Sequence, residues 1–219
     1  MAQFFNKSAN NIARISMVMA VIMGGVAFYA YTQIARSSYL TGRYLEKQQP
    51  VQFSHKHHVG DDGIDCRYCH QTVETTASAG MPSTQTCMNC HSQIWSDSPY
   101  LEPVRASFRD NKPIEWERVH DLPEFTYFNH SIHVAKGVGC STCHGHIDNM
   151  PAVFQENTLQ MEWCIECHRN PEGRIRPKSE IFNMQWQDDD LDANERKQLK
   201  ADYKIRSKEL MTSCSTCHR

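Results

Sequence analysis

The chain of 219 residues carries 23 Lys and Arg against 25 Asp and Glu, a formal net charge of −2. This near-neutral balance argues against a nucleic-acid-binding protein that relies on a basic surface, because such a surface needs clustered Lys and Arg. The unusual counts are 10 Cys and 12 His, which point to disulfides, metal or a covalently bound cofactor.

The first predicted element is an apolar helix near the N-terminus. Residues 15–34 read ISMVMAVIMGGVAFYAYTQI and contain no formal charge. A helix of this length, at ~1.5 Å per residue, crosses a hydrocarbon core of ~30 Å. A cleaved secretory signal peptide is the alternative, but the apolar run is long and lacks a clean small-x-small cleavage site. We therefore expect residues 1–46 to form a membrane anchor with one transmembrane helix at about 15–34.

The rest of the chain, from about residue 47, is polar, rich in turn residues and poor in apolar periodicity. One segment, 190–211, is predicted to form a solvated helix, since its acids come early and its bases late, as suits the helix dipole. A region of roughly 170 residues with so few apolar side chains should struggle to build a conventional core. We expect mostly irregular structure with short α-helices, packed around something other than side chains.

The cysteines form five pairs with the spacing Cys-x-x-Cys, and a histidine directly follows each pair. Two thiols at this spacing can each add to one vinyl group of the same haem, and the adjacent His can reach the iron, so the motif signals c-type haem attachment. We number the sites one to five along the chain and expect five covalently bound haem c groups. The predicted thioether residues are Cys66, Cys69, Cys87, Cys90, Cys140, Cys143, Cys164, Cys167, Cys214 and Cys217. The predicted proximal iron ligands are His70, His91, His144, His168 and His218.

Zinc sites and redox-active disulfides also use Cys-x-x-Cys pairs, but they do not need a His after every second Cys. For randomly placed His, five such coincidences have a probability on the order of one in a million. Roughly 35 residues per haem is too few for a peptide core, so the haems should fill the interior. Covalent haem attachment also implies assembly outside the cytoplasm, which predicts a periplasmic haem domain and a cytoplasmic N-terminus.

Four of the sites belong to an internal repeat. A segment F-x-H-x-x-H-V begins at Phe53 before sites one and two, and again at Phe128 before sites three and four. A Met-Pro pair separates the two sites in each copy. The repeat predicts one dihaem module with its connector at 47–125, a second at 126–172, and a C-terminal extension at 173–219 that carries a helix and the fifth haem.

Seven His remain after the proximal set, and five irons need at most five of them. The two His of each F-x-H-x-x-H segment lie about one turn apart, so they can reach different haems; their assignment as ligands rests on analogy. We expect His57 and His146 at the surface or near haem propionates. A Met ligand at one iron would raise its reduction potential. The candidates for the distal position are His55, His58, His120, His130, His133, Met150 and Met161.

Protein ligands on both faces of an iron leave no position at which it can readily bind a small substrate. The chemistry then reduces to the transfer of single electrons. We therefore predict an electron-transfer subunit that is not catalytic by itself, and we identify no catalytic residues.

The order of these features is similar to that of a known family. The apolar helix, the five sites and the segments FSHKHHVG, IDCRYCH, RVHDLPEFTYFNHSIHV and MEWCIECHRNPE resemble the pentahaem c-type cytochrome subunit of bacterial alternative complex III, over nearly the whole chain. The F-x-H-x-x-H segments also look like those of small cytochromes of the c3 and c7 type.

The resemblance implies a subunit of a complex in the bacterial cytoplasmic membrane. In that complex polytopic membrane subunits oxidise quinol, an iron-sulfur subunit relays the electrons, and the pentahaem subunit passes them to a monohaem cytochrome c or a terminal oxidase. Lipid and these subunits are the partners it implies.

Two other functions are compatible with the sequence. The first is a stand-alone, membrane-anchored multihaem quinol dehydrogenase that feeds a periplasmic reductase. The second is a catalytic multihaem reductase for nitrite or a similar oxyanion. That function needs an iron with an open face, and the variant motif C-x-x-C-K that signals such enzymes does not occur in the chain.

Overall fold

The computed structural model describes residues 5–218, which form two units. The first unit ends at Arg43 and the second begins at Tyr44, close to the anchor boundary predicted at residue 46. Residues 1–4 of the predicted anchor and residue 219 of the predicted C-terminal extension lie outside the described residues.

The first unit contains one long apolar helix, α1 (Ser8–Arg36), followed by the single turn α2 (Ser38–Thr41). No residue of α1 is buried. The helix is long and apolar enough to cross a membrane, a property that membrane anchors and signal sequences share. It starts before the apolar run predicted at 15–34, because the backbone hydrogen bonds continue into the polar residues that flank it. Gly42 ends α2 with a left-handed φ of 71°.

The second unit is built from short helices and irregular segments. Residues 44–218 contain no named β-strand, only an isolated antiparallel bridge between Val138 and Ile175. A π-helical turn spans Lys56–Asp61, and short 3-10 turns connect several of the helices. The α-helices are α3 (Cys66–Cys69), α4 (Thr84–His91), α5 (Glu102–Asp110), α6 (His130–Ala135), α7 (Cys140–His144), α8 (Met161–Arg169), α9 (Ala193–Asp202), α10 (Lys208–Met211) and α11 (Cys214–Cys217).

The prediction of one continuous helix over 190–211 is wrong, because the segment forms α9 and α10 with a break between them. Asp192 starts α9 by accepting hydrogen bonds from two backbone amides, in a capping box with Glu195. Lys204 then adopts a left-handed φ of 49°, which ends the helix. Tyr203, at the break, donates its hydroxyl to the carbonyl of Arg176 at 3.3 Å. This tertiary contact accompanies a helix break in a segment that contains no Gly or Pro.

The apolar side-chain core of the second unit is small. Its one cluster of buried residues contains Val73, Val134 and Ile181, with Ala79 and Phe182 packed against it. Many large apolar side chains elsewhere are exposed, such as Trp95, Tyr100 and Phe125. The buried apolar side chains among residues 5–218 are Val51, Val73, Val104, Val134, Met150, Ile175, Ile181 and Met184.

A glycine between α6 and α7 packs closely against the C-terminal part of the chain. Gly137 has a φ of +80°, and a Cβ added there would meet the carbonyl oxygen of Arg176 at 2.7 Å and collide with the ring of Tyr203. We expect Gly137→Ala to lower the free energy of unfolding of the haem-loaded protein by roughly 2 to 4 kcal/mol, from left-handed strain and overpacking together. Denaturant unfolding measures this change.

The matched control is Gly173→Ala, where the added Cβ would meet no atom within 4 Å. We expect that variant to change stability by no more than about 0.5 kcal/mol, as surface substitutions do. Equal effects of the two substitutions would contradict the packing described around Gly137.

Candidate haem-binding site

Each Cys-x-x-Cys-His motif lies on a single helical turn, in α3, in α7, in α11, or at the ends of α4 and α8. Residues i and i+3 of a helix are neighbours on one face, so both thiols of a pair can reach one ligand. No disulfide joins any of the ten cysteines, and each is at least partly accessible. Within residues 5–218 no three His, Cys, Asp or Glu side chains are grouped to hold a bare metal ion. The arrangement suits thioether attachment of a haem at each turn.

Seven of the predicted iron ligands share one hydrogen-bond pattern. In each, the imidazole Nδ1 lies 2.7–3.0 Å from a backbone carbonyl oxygen. A carbonyl can only accept, so Nδ1 must carry the proton, and the lone pair is then on Nε2, where a metal can bind. The pairs are His58 with Ser54, His70 with Gly80, His91 with Ile94, His130 with Ala77, His133 with Asn129, His168 with Met211, and His218 with Phe125.

Three distal candidates face proximal His at the spacing that an intervening iron requires. With a metal–nitrogen distance of about 2 Å, two imidazoles on opposite faces of one iron have ring centres roughly 6 Å apart. The observed separations of the ring centres are 6.1, 6.2 and 6.4 Å. The residues of this chain therefore fit an iron with two imidazole ligands. The pairs in that order are His58 with His91, His133 with His168, and His130 with His144.

The internal repeat has the same local geometry in both copies. Phe53 stacks on His58 at 4.4 Å and meets His55 edge-on at 4.9 Å. In the second copy, the ring of Phe128 lies in the same two orientations against His133 and His130, at 4.6 and 4.7 Å. The phenylalanine of F-x-H-x-x-H thus orients both histidines of its segment.

His55 is the counterpart of His130 in the first copy of the repeat. Burial, followed by the charges of His70 and His58, lowers the pKa of His55 to about 4. Its Nδ1 is buried and has no hydrogen-bond partner. The imidazole is therefore neutral at pH 7, which is the form that binds a metal, and it lies close to His70 of site one.

The position of His120 does not fit the distal role at site three. Its ring centre is 4.3 Å from that of His144, which is too close for an iron between the two rings. Burial, then the charges of His130 and Lys47, lowers the pKa of His120 to about 4, and its Nε2 is buried without a hydrogen-bond partner.

At site five, the ring partner of His218 among the described residues is Phe125 at 5.8 Å, rather than an imidazole.

Four other residues that the sequence analysis considered lie in different surroundings. Met150 is buried beside a small cavity, and Met161 is exposed at the start of α8. His57 is half-exposed, 3.5 Å from a carboxylate oxygen of Asp62, and stacks on a tryptophan ring. His146 is also half-exposed, with its Nδ1 3.6 Å from Oδ1 of Asp148. Both of these His are in contact with solvent, as their expected place at the surface requires.

Sequence reasoning missed a buried cation at site three. Arg176 is 2% exposed, and its guanidinium donates to the hydroxyls of Ser141 and Thr142, the two residues between the cysteines of that site, at 3.2 and 3.1 Å. A fixed positive charge disfavours the more positive oxidised state of a nearby iron, so it would raise the reduction potential of a haem held there. No motif in the sequence marks this residue, because it lies more than thirty positions further along the chain.

The short helices and the imidazole pairs fit a multihaem protein, and two comparisons with known proteins support this interpretation. Residues 51–99 match the family described as cytochrome c7 and related cytochrome c. The multihaem cytochrome c subunit of a menaquinone reductase from Nitratidesulfovibrio vulgaris (strain Hildenborough) is 28% identical over 177 residues, which cover 71% of this chain and 79% of that relative. These findings support a c7-like multihaem cytochrome c with covalently bound haem c.

Proposed function

We propose that this chain is a membrane-anchored pentahaem cytochrome c that relays electrons within a quinone-linked respiratory complex. The observation that carries the proposal is the set of imidazole pairs with ring centres 6.1 to 6.4 Å apart. When bound, haem c supplies one-electron redox chemistry. Imidazoles on both faces exclude water and small substrates from the metal, which supports a relay rather than a catalytic reductase.

The chain's own residues would hold each group through three kinds of contact. The paired thiols of each attachment turn would form the thioethers. The proximal His, with Nδ1 bonded to a carbonyl at four of the five sites, would present Nε2 to the iron. For the ligand opposite His218, the sequence candidates His120, Met150 and Met161 remain. We propose these distal pairs: His55 with His70, His58 with His91, His130 with His144, and His133 with His168.

We further propose that the complex is an alternative complex III in a bacterial cytoplasmic membrane. Its polytopic subunits would oxidise quinol, an iron-sulfur subunit would relay the electrons, and this chain would pass them to a monohaem cytochrome c or a terminal oxidase. The N-terminus would be cytoplasmic and the haem domain periplasmic. Support comes from the apolar helix α1 and from a relative that is a subunit of a quinone-linked enzyme.

One observation favours a second candidate, a complex that works in the opposite direction. The relative is named as part of a menaquinone reductase. By that likeness, this chain would accept electrons from a reduced periplasmic protein and pass them towards menaquinone. Electron transfer in either direction could use the same anchor, attachment sites and ligand pairs. The direction of net transfer therefore depends on the partner subunits and on the reduction potentials.

Isolation in mild detergent tests the place of this chain in a complex. We expect iron-sulfur and polytopic membrane subunits to copurify with it, and we expect menaquinol to reduce the haems rapidly in the complex and slowly in the separated chain. Equal rates in both preparations would instead indicate a stand-alone quinol dehydrogenase. Net transfer from a reduced soluble cytochrome to a menaquinone analogue, faster than the reverse reaction, would favour the reductase direction.

Substitution of one proposed distal ligand tests the iron coordination. In His133→Ala, the haem bound by His168 loses its sixth ligand, so we expect one of the five haems to change from low spin to high spin in electron paramagnetic resonance and optical spectra. His57→Ala is the matched control, because His57 is half-exposed and faces no proximal His. A spectrum of His133→Ala identical to that of the unsubstituted protein would exclude this ligand assignment.

A further inference from the structure

We propose that the five attachment sites form a single row in the order two, one, three, four, five, so that sites two and five are its ends. The proposal rests on the proposed function, because each site is taken to hold a haem. An electron that crosses the whole row then enters at one end and leaves at the other. Contacts between the attachment turns and the segments next to them support each step of the row.

Sites two and one are joined through the residues between their cysteines. Asn89 of site two donates its side-chain amide to the hydroxyl of Tyr68 of site one at 3.1 Å. The distal candidates for these two sites, His58 and His55, are three positions apart on the same turn. One short segment would therefore bind both irons, which requires the two haems to be neighbours.

Sites one and three are in contact although they are more than seventy residues apart in sequence. The segment that carries the distal His of site three docks on the loop that follows site one. In that docking, His130 Nδ1 lies 2.8 Å from the carbonyl of Ala77, and the amide of Ser131 donates to the carbonyl of Thr76 at 3.1 Å.

Sites three and four repeat the relation between sites one and two. Asn157, which precedes site four, donates its side-chain amide to the carbonyl of Cys143 of site three at 2.9 Å. The distal candidates His130 and His133 lie on one face of α6 and pair with His144 and His168. A single turn again serves two neighbouring irons.

Sites four and five are joined by the proximal ligand of site four. Nδ1 of His168 bonds to the carbonyl of Met211, the last residue of α10, at 2.9 Å. α10 directly precedes α11, which carries the cysteines of site five, and α10 packs against α8. The C-terminal haem would therefore lie beside the fourth and extend the row.

Accessibility of the thiols supports the same two ends. In these contacts, sites one, three and four each lie between two other sites, whereas sites two and five each adjoin one. Of the ten cysteines, Cys90 of site two and Cys214 of site five are exposed, and the other eight are partly covered. The terminal haems would then be the ones that a partner protein can approach most closely.

Reduction potentials of the isolated, haem-loaded chain test the order. Reduction of one haem removes a positive charge and disfavours reduction of a haem beside it. This effect is weaker for more distant haems, because the Coulomb interaction falls with distance and is screened by salt, with a Debye length of about 10 Å at 0.1 M. A Met ligand raises the potential of its own haem, so that haem is reduced first. We therefore expect His58→Met, at the end site two, to lower the apparent potential of one other haem in a redox titration followed by nuclear magnetic resonance.

The matched variant is His133→Met at the interior site four, for which we expect two other haems to shift. The proposed order is wrong if His58→Met shifts the apparent reduction potentials of two or more other haems, or if His133→Met shifts that of only one. If either variant loses haem or folds poorly, the unsubstituted protein provides the same test. Its titration should show two haems with one strong pairwise interaction each and three haems with two, and any other distribution overturns the row. Because these measurements involve no quinone and no partner, their failure is distinct from failure of the proposed function.

Discussion

Most of the proposed site depends on one interaction, the hydrogen bond between imidazole Nδ1 and a backbone carbonyl, which seven of the proposed iron ligands make. Nδ1 of His55 and Nδ1 of His144 are buried without such a partner. The hydrogen bond fixes the tautomer, directs the lone pair of Nε2 and holds the ring at a set angle to its helical turn. Several of these bonds also cross between segments that are distant in sequence, as from His218 to Phe125 and from His168 to Met211. The same bonds therefore orient the proposed ligands and join segments of the second unit that are distant in sequence.

A second constraint is the shortage of apolar side chains in the second unit. The buried cluster around Val73, Val134 and Ile181 is much smaller than a domain of this length normally needs. Five haems attached to short helical turns would supply the missing apolar volume. Irregular backbone is then acceptable between the sites, because the covalent attachments and iron ligands determine where each segment lies.

The sequence predicted the apolar helix and the short helices of the second unit, and the haem attachment sites remain a prediction that rests on local spacing. The five attachment motifs, the repeat of F-x-H-x-x-H and the apolar helix each depend on residues close together in the chain. The break at Lys204 depends on tertiary packing instead, and so does the contact of His120 with His144. The position of Arg176 and the proposed order of the sites could not be predicted from the sequence, because both rest on contacts between distant segments that no spacing rule describes.

We propose that five haems are attached through thioethers and form the interior of the second unit. Mass spectrometry of the intact, denatured polypeptide tests it most directly, since a thioether survives denaturation whereas a zinc ion or a non-covalent haem is released. We expect a mass equal to that of the polypeptide plus five haems, and no thiol that can be alkylated. Free thiols, disulfides or fewer than five added haems would contradict it.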